Sequence, residues 1–138
     1  MQKFIEAQEA IYPQVLSELE AGRKVSHWMW FIFPQIQGLG RSSTAQYYAI
    51  KDAEQAQAYL RHPVLGARLK ECVEILLRLK GKTAIDIFGD IDAVKLRSSM
   101  TLFSEVAGQD TVFARLLKKY FNAESDALTL QILNEQKA

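Results

Sequence analysis

The residues best suited to chemistry are concentrated between positions 22 and 48. Aromatic residues, prolines, glycines and cations crowd together there without a clear helical or strand period. His27 is the candidate for proton transfer, because imidazole readily gains or loses a proton near neutral pH. Trp28 and Trp30 predict an aromatic wall for a flat ligand, with His27 at its rim. The alternative is that residues 28–33 form an anchoring segment of the core.

A glycine-rich stretch with one arginine follows directly. Residues 35–44 read Gln-Ile-Gln-Gly-Leu-Gly-Arg-Ser-Ser-Thr and precede a predicted short helix. Glycines let backbone N–H groups approach a ligand, a helix N-terminus favours negative charge, and arginine binds oxyanions in a bidentate way. The stretch therefore predicts a phosphate site, and its contributors are Gln35, Gly40, Arg41 and Ser42. It lacks the features of a Walker loop or a dinucleotide fingerprint, and a capped loop with a solvent-facing arginine is the alternative.

Three polar residues fall on helix faces that are otherwise apolar. At about 100° per residue, Gln8 projects into the middle of an apolar arc in the first helical segment. A buried amide there needs hydrogen-bond partners, since leaving it unpaired costs about 1 to 3 kcal/mol. Lys95 and Ser99 lie within the apolar arc of a later helix. Lys95 either extends to solvent along its methylene stem or points into an internal pocket, and we expect all three residues to contact the ligand.

Other kinds of chemistry are disfavoured by the residue counts. The two histidines and one cysteine lie far apart and outside any ligand-spacing motif, so we expect no metal site, and the sequence identifies no cofactor. Cys72 lies on an apolar helical stripe, which favours a small buried residue over a nucleophile. The net charge of +1, from 17 basic and 16 acidic side chains, disfavours binding to nucleic acids or to an anionic membrane.

The elements that must position these residues are predicted to be helices. Apolar residues recur at helical spacing from residue 3 to residue 21, where Pro13 kinks the segment or starts a second helix. Further helices are predicted over residues 52–60, from a start marked by His62 and Pro63 to residue 80, and from a cap at Asp90 or Asp92 to residue 107. A helical turn is predicted over 83–89, and two last helices are capped by Asp110 and Asp126. No stretch shows sustained strand alternation. The fold class is therefore all-α, with six to eight helices and one irregular segment rich in aromatic residues and glycine, whose conformation over residues 23–43 stays open.

Length and composition favour a single domain over residues 1–138. A chain of this size, with 49% hydrophobic and 24% charged residues, is typical of one globular domain. The first residues lack a signal-peptide pattern, and the longest apolar run, residues 28–33, is too short to span a membrane. A lone cysteine fits a reducing compartment. We therefore expect a cytoplasmic protein without membrane association.

Four stretches of the chain resemble one bacterial family. They cover residues 4–8, 26–35 with 38–42, 62–66 and 95–103, and read FIEAQ, SHWMWFIFPQ with GLGRS, HPVLG and KLRSSMTLF. On these, the chain is similar over nearly its whole length to the domain-of-unknown-function family 1810, some members of which carry the label calpastatin. The resemblance implies an all-α fold and no established reaction. The label does not fit, because true calpastatins are long, disordered and repetitive, whereas this chain is hydrophobic and free of repeats.

Two functions of different classes are compatible with the sequence. The leading hypothesis is a site for a small phosphate-bearing, nucleotide-like ligand, with a tryptophan stacking on it and Arg41 and Lys95 on its phosphate. A hydrolase would use His27 for proton transfer. A weaker likeness to NAD- and ADP-ribose-associated bacterial hydrolases points the same way by analogy alone. The alternative is a non-catalytic protein-interaction module, which predicts a contiguous exposed apolar patch in place of a polar-lined pocket.

Overall fold

Every regular element that the computed structural model describes, over residues 1–108 and 111–137, is an α-helix. The helices are α1 (Gln2–Glu9), α2 (Tyr12–Ala21), α3 (Met29–Ile32), α4 (Ser43–Tyr47), α5 (Ala53–Arg61), α6 (Leu65–Arg78), α7 (Ala84–Ala107), α8 (Val112–Phe121) and α9 (Ala127–Lys137). The all-α prediction is confirmed. The predicted count of six to eight is too low, because the described residues form nine helices. The short α3 lies inside the segment whose conformation the sequence left open, whereas α4 is the short helix predicted to follow the glycine-rich stretch. None of the described helices combines the length and the hydropathy required to cross a lipid bilayer.

The first helical segment is divided into α1 and α2. Pro13 lies in the first turn of α2, where its missing N–H group costs no hydrogen bond. Gly22 ends α2 in the left-handed conformation, with φ of 71°. The buried residues of the two helices are Phe4, Gln8, Val15, Glu18 and Leu19.

A close turn joins α5 to α6. His62 marks the start of α6 as predicted, because its Nδ1 accepts hydrogen bonds from the backbone N–H groups of Val64 at 3.1 Å and Leu65 at 3.2 Å. Gly66 is required at this point, since a Cβ atom there would lie 2.0 Å from the carbonyl oxygen of Leu60. The absence of that side chain lets the end of α5 pack directly on the start of α6.

The long helix α7 bends at Gly89. At its start, the Thr83 hydroxyl accepts from the Asp86 N–H group at 3.0 Å, and the Asp86 carboxylate accepts from the Thr83 N–H group at 2.9 Å. Gly89 leaves the helical conformation with φ of 80° and ψ of 171°. The predicted helical turn over 83–89 and the predicted helix over 90–107 are therefore two parts of one bent element. This element packs against α5, α8 and α9.

The last helix is tied to α7 through its capping residue. Asp126 Oδ2 accepts from the backbone N–H group of Thr129 at 2.9 Å, which caps α9 as predicted. The Asp126 N–H group donates to the Thr101 hydroxyl of α7 at 2.9 Å. Asp110, the predicted cap of α8, lies outside the described residues.

Candidate functional site

Glu18 organises the chain that leaves α2. Its buried carboxylate accepts hydrogen bonds from the N–H groups of Val25 at 2.8 Å and Ser26 at 3.0 Å. The Ser26 hydroxyl at 2.7 Å, the Trp28 indole N–H at 3.0 Å and the Gln14 amide at 3.0 Å donate to the same carboxylate. Burial raises the pKa of Glu18, but the hydrogen bonds from Ser26, Val25 and Gln14 outweigh it and lower the pKa to about 2. Glu18 therefore stays ionised and fixes residues 25–28.

Lys24 connects this loop to α7. Its ammonium group lies 2.9 Å from Asp92 Oδ2 and donates to the Ser26 carbonyl oxygen at 2.7 Å. The backbone N–H group of Lys24 donates to the Ile87 carbonyl oxygen at 2.8 Å, just before the bend in α7. The side chain is only 7% exposed. The loop and the bent helix are thus held together by an enclosed ion pair and a backbone hydrogen bond.

Trp28 is part of the core. Its ring is fully buried and packs against Phe33 and Phe88, with ring centroids 6.2 and 6.4 Å apart. Its indole N–H group is used by Glu18. No face of the ring is open, so the predicted stacking of Trp28 on a ligand is not supported. The structure supports the alternative, in which Trp28 anchors the segment in the core.

Gln8 and Ser99 are also core residues. The Gln8 amide donates to the Phe31 carbonyl oxygen at 2.8 Å and to the Tyr59 hydroxyl at 3.2 Å, and its oxygen accepts from Arg68 at 3.3 Å. Gln8 is therefore satisfied by the fold, and the expectation that it contacts a ligand is not supported. The buried Ser99 hydroxyl has no hydrogen-bond partner among the described residues, and Ser99 lines neither of the two clefts described below.

Lys95 rests on the ring of Trp30. Its ammonium group lies 5.2 Å from the ring centroid and 3.7 Å from Asp92 Oδ1. The Lys95 side chain is 26% exposed. The aliphatic stem is thus partly covered while the ammonium group remains accessible. This position is intermediate between the two predicted alternatives, full extension into solvent and burial in an internal pocket.

A cleft of about 410 Å³ opens beside Lys95 and is called the α7–α9 cleft below. Its lining residues are Gln35, Leu39, Gly40, Ile91, Val94, Lys95, Ser98, Asp126 and Leu128. Ile91 is 73% exposed and Val94 is 60% exposed, and both line the same cleft, so they form an exposed apolar patch and not isolated surface residues. The cleft therefore combines open apolar walls with one ammonium group.

The α7–α9 cleft gathers three of the predicted ligand-binding residues, namely Gln35, Gly40 and Lys95. Trp30 lies next to it and lines a small neighbouring cavity of about 20 Å³, which has room for about one water molecule. Gly40 lines both spaces, and a Cβ atom there would lie 2.4 Å from Ala45 Cβ. The glycine is thus required for packing on α4, whether or not a ligand approaches it.

His27, Arg41 and Ser42 have exposed side chains, and none of them lines the α7–α9 cleft. The Ser42 hydroxyl caps the five-residue helix α4 by accepting from the Ala45 N–H group at 3.1 Å. The Arg41 carbonyl oxygen accepts from the Gln46 amide at 2.9 Å. The predicted anion cradle thus has the geometry of its alternative, a capped loop with a solvent-facing arginine. In the part of the chain that the structure describes, no three His, Cys, Asp or Glu side chains form a metal-binding group.

A second cleft, called the α7–α8 cleft, lies on the other side of Val94. It has a volume of about 390 Å³, and its walls include Ile85, Arg97, Tyr120 and Phe121. Val94 and Asp126 line both clefts. Ile85, Ile91, Val94 and Leu128 are each about half exposed or more. The exposed apolar surface is therefore continuous across the two clefts.

Glu18, Asp92 and the apolar walls of the cleft were not predicted as site residues from the sequence. Glu18 shares a helix face with Val15, which was a usable signal because a carboxylate on a core face requires donors. Ile91 and Val94 lie one turn apart on α7, but their exposure depends on how α9 packs. That packing is a tertiary property which helical periodicity does not contain.

Comparisons with known proteins identify relatives of unknown function. A family model described as "Protein of unknown function (DUF1810)" matches residues 1–133. The conserved hypothetical protein Rv1873 from Mycobacterium tuberculosis, whose crystal structure is known, is 45% identical to this chain in sequence. The two structures have a TM-score of 0.94, and the match covers 96% of this chain and 95% of that one. The search of curated proteins gives no match. These relatives agree with the all-α fold and with the resemblance found in the sequence, and they assign no activity.

Proposed function

We propose that this chain, which belongs to the DUF1810 family of proteins of unknown function, is a binding domain for a small molecule with an apolar body, seated in the α7–α9 cleft. The observation that carries the proposal is the meeting of exposed Ile91 and Val94 with the Lys95 ammonium group in one concavity of about 410 Å³. Ligand sites commonly have volumes of about 300 to 1,000 Å³, mostly apolar walls and a few polar groups that orient the ligand.

The polar groups of the cleft are few and specific. Lys95 supplies an accessible cation. Gln35 supplies a half-buried amide whose side chain has no hydrogen-bond partner among the described residues. A phosphate-bearing ligand, the class suggested by the sequence, would contact Lys95 without help from Arg41. A nucleotide-like ligand is less well supported, because none of the described residues that line this cleft is aromatic.

We propose binding without catalysis at this site. His27, the expected proton-transfer group, lies outside the residues that line the cleft. Among the described residues that line the cleft, the one carboxylate belongs to Asp126, and it caps α9 by accepting from the Thr129 N–H group at 2.9 Å. The residues at hand support recognition of a ligand better than hydrolysis of one.

The test uses 1-octanol as a neutral apolar probe, titrated into isotopically labelled protein and followed by NMR. Saturable shifts at Ile91, Val94 and Leu128 are expected. Ile91→Ser should weaken binding about tenfold, since it removes about 1.4 kcal/mol of apolar contact. Ile85→Ser is the matched control, because Ile85 is similarly exposed but lines only the α7–α8 cleft. Absence of saturable shifts, or equal weakening by both variants, would contradict the proposal.

A protein-interaction module is the second candidate, supported by the apolar surface that continues from Ile85 across Val94 to Leu128. A partner protein large enough to cover this surface would contact both clefts. Ile85→Ser and Ile91→Ser would then weaken that association alike, whereas a small ligand of the α7–α9 cleft responds to Ile91→Ser alone. The pair of variants therefore separates the two functions.

A further inference from the structure

Asp92 is shared unequally between two lysines. Lys24 lies 2.9 Å from Asp92 Oδ2, within hydrogen-bond distance, and its side chain is 7% exposed. Lys95 lies 3.7 Å from Asp92 Oδ1, beyond a normal hydrogen bond, and is 26% exposed. The carboxylate therefore neutralises the enclosed Lys24. The three side chains together keep one excess positive charge, which is located at Lys95.

Trp30 holds that charge at the edge of the α7–α9 cleft without neutralising it. The Lys95 ammonium group lies 5.2 Å from the centroid of the Trp30 ring. The ring face attracts a cation through its quadrupole but carries no net charge. Lys95 is thus oriented by one neighbour and only weakly paired by the other. A ligand anion would not have to break a short ion pair to reach it.

Two other charged groups at this surface, Asp126 and Arg97, are already engaged by the fold, and the exposed Asp90 lines the neighbouring α7–α8 cleft and not this one. Asp126 lines the cleft, but Oδ2 accepts from the Thr129 N–H group at 2.9 Å and the Thr129 hydroxyl at 2.6 Å. The N-terminus of α9 offsets part of its charge. Arg97, in the neighbouring cleft, donates to the Glu124 carboxylate at 3.1 Å. Lys95 is therefore the charged group of the cleft that is most available to a ligand.

Resting on the function proposed above, we infer that the ligand of the α7–α9 cleft is an amphipathic monoanion, a carboxylate on an apolar body, whose charge binds Lys95. The apolar body lies against Ile91 and Val94. One excess cation balances one negative charge. A phosphate monoester carries about −1.5 to −2 at neutral pH, so part of its charge would remain unpaired beside apolar walls, which is unfavourable. The single charge thus favours a carboxylate over the phosphate group suggested by the sequence.

The experiment compares four probes with the same apolar body, namely octanoate, octyl phosphate, 1-octanol and octylamine, by NMR titration at pH 7.5. We expect octanoate to bind at least tenfold more tightly than 1-octanol and at least as tightly as octyl phosphate. Lys95→Met should remove the advantage of octanoate and leave 1-octanol affinity within twofold. Lys118→Met is the matched control, because it removes the same charge from an exposed position on α8.

Each outcome separates this inference from the function on which it rests. If no octyl probe binds, the proposed function fails. If 1-octanol or octylamine binds as tightly as octanoate, the cleft is a site but its selectivity for an anion is refuted. If octyl phosphate binds threefold more tightly than octanoate, the preference for a single charge is refuted. If Lys118→Met reduces octanoate binding as much as Lys95→Met, the effect is one of overall charge and Lys95 is not the contact. Retained spectra of both variants establish that they fold.

Discussion

Replacing Glu18 by glutamine should destabilise the domain in a way that depends on pH. The pKa of Glu18 is lowered from 4.5 to about 2, which corresponds to about 3 kcal/mol of stability at neutral pH. Because the folded-state pKa is lower than the unfolded-state value, this stability is present above about pH 4.5 and is lost as the pH falls towards 2. Glutamine cannot carry the charge. With its oxygen in the place of Oε1, its NH₂ group would replace Oε2 and face the donors of the Ser26 hydroxyl and the Gln14 amide.

The assay is urea unfolding of wild type and Glu18→Gln at pH 7 and pH 3, with linear extrapolation of the free energy. We expect a loss of about 3 kcal/mol at pH 7 and a difference that is smaller by about 2 kcal/mol at pH 3. Glu20→Gln is the control, because Glu20 is exposed on the same helix and should change stability by less than about 0.5 kcal/mol. A loss under about 1 kcal/mol at pH 7, or one independent of pH, would refute the assignment of Glu18 as the anchor of the loop.

Three further predictions concern other parts of the fold. Burial raises the pKa of the Cys72 thiol to about 12, and the opposing effect of its hydrogen bond with Tyr12 is smaller. Iodoacetamide at pH 8 should therefore label the thiol only after the protein is unfolded in urea. Rapid labelling of the native protein would contradict this prediction. Gly89→Ala should cost about 1 to 3 kcal/mol in urea unfolding, because φ of 80° with ψ of 171° is nearly restricted to glycine even though the added Cβ atom meets nothing. Lys119→Met should lower the free energy of unfolding by about 1 kcal/mol in a thermal unfolding experiment. The reason is that the Lys119 ammonium group donates to carbonyl oxygens at the end of α6, including that of Leu77 at 2.8 Å. The control, Lys118→Met, should leave the free energy of unfolding nearly unchanged.

Much of the fold was predictable because its signals are local. Apolar residues at helical spacing predict α6, and capping residues such as Asp126 mark helix starts through bonds to the next turn. Gln8 is an intermediate case. Its position on an apolar face correctly indicates burial, but the partners Phe31 and Tyr59 come from helices far along the chain. Periodicity predicts that such an amide needs hydrogen-bond partners, but it does not identify them.

The candidate site was predicted only in part because it depends on how distant segments meet. His27 and Trp28 are adjacent in the sequence, yet Glu18 draws the tryptophan into the core while the histidine stays exposed. Lys95 lies near Gly40 because the second part of α7 and residues 35–40 border the same cleft. Neither arrangement follows from the residue types alone. The chemistry expected of single residues was reasonable, but their grouping required the tertiary structure.

The most direct test of the central claim is to locate octanoate on methyl-labelled protein through intermolecular nuclear Overhauser effects. The α7–α9 cleft predicts contacts from the octyl chain to the methyl groups of Ile91, Val94 and Leu128, all of which line it. Contacts confined to Ile85 and other residues outside that cleft, with saturable binding still observed, would contradict the assignment of the α7–α9 cleft as the ligand site.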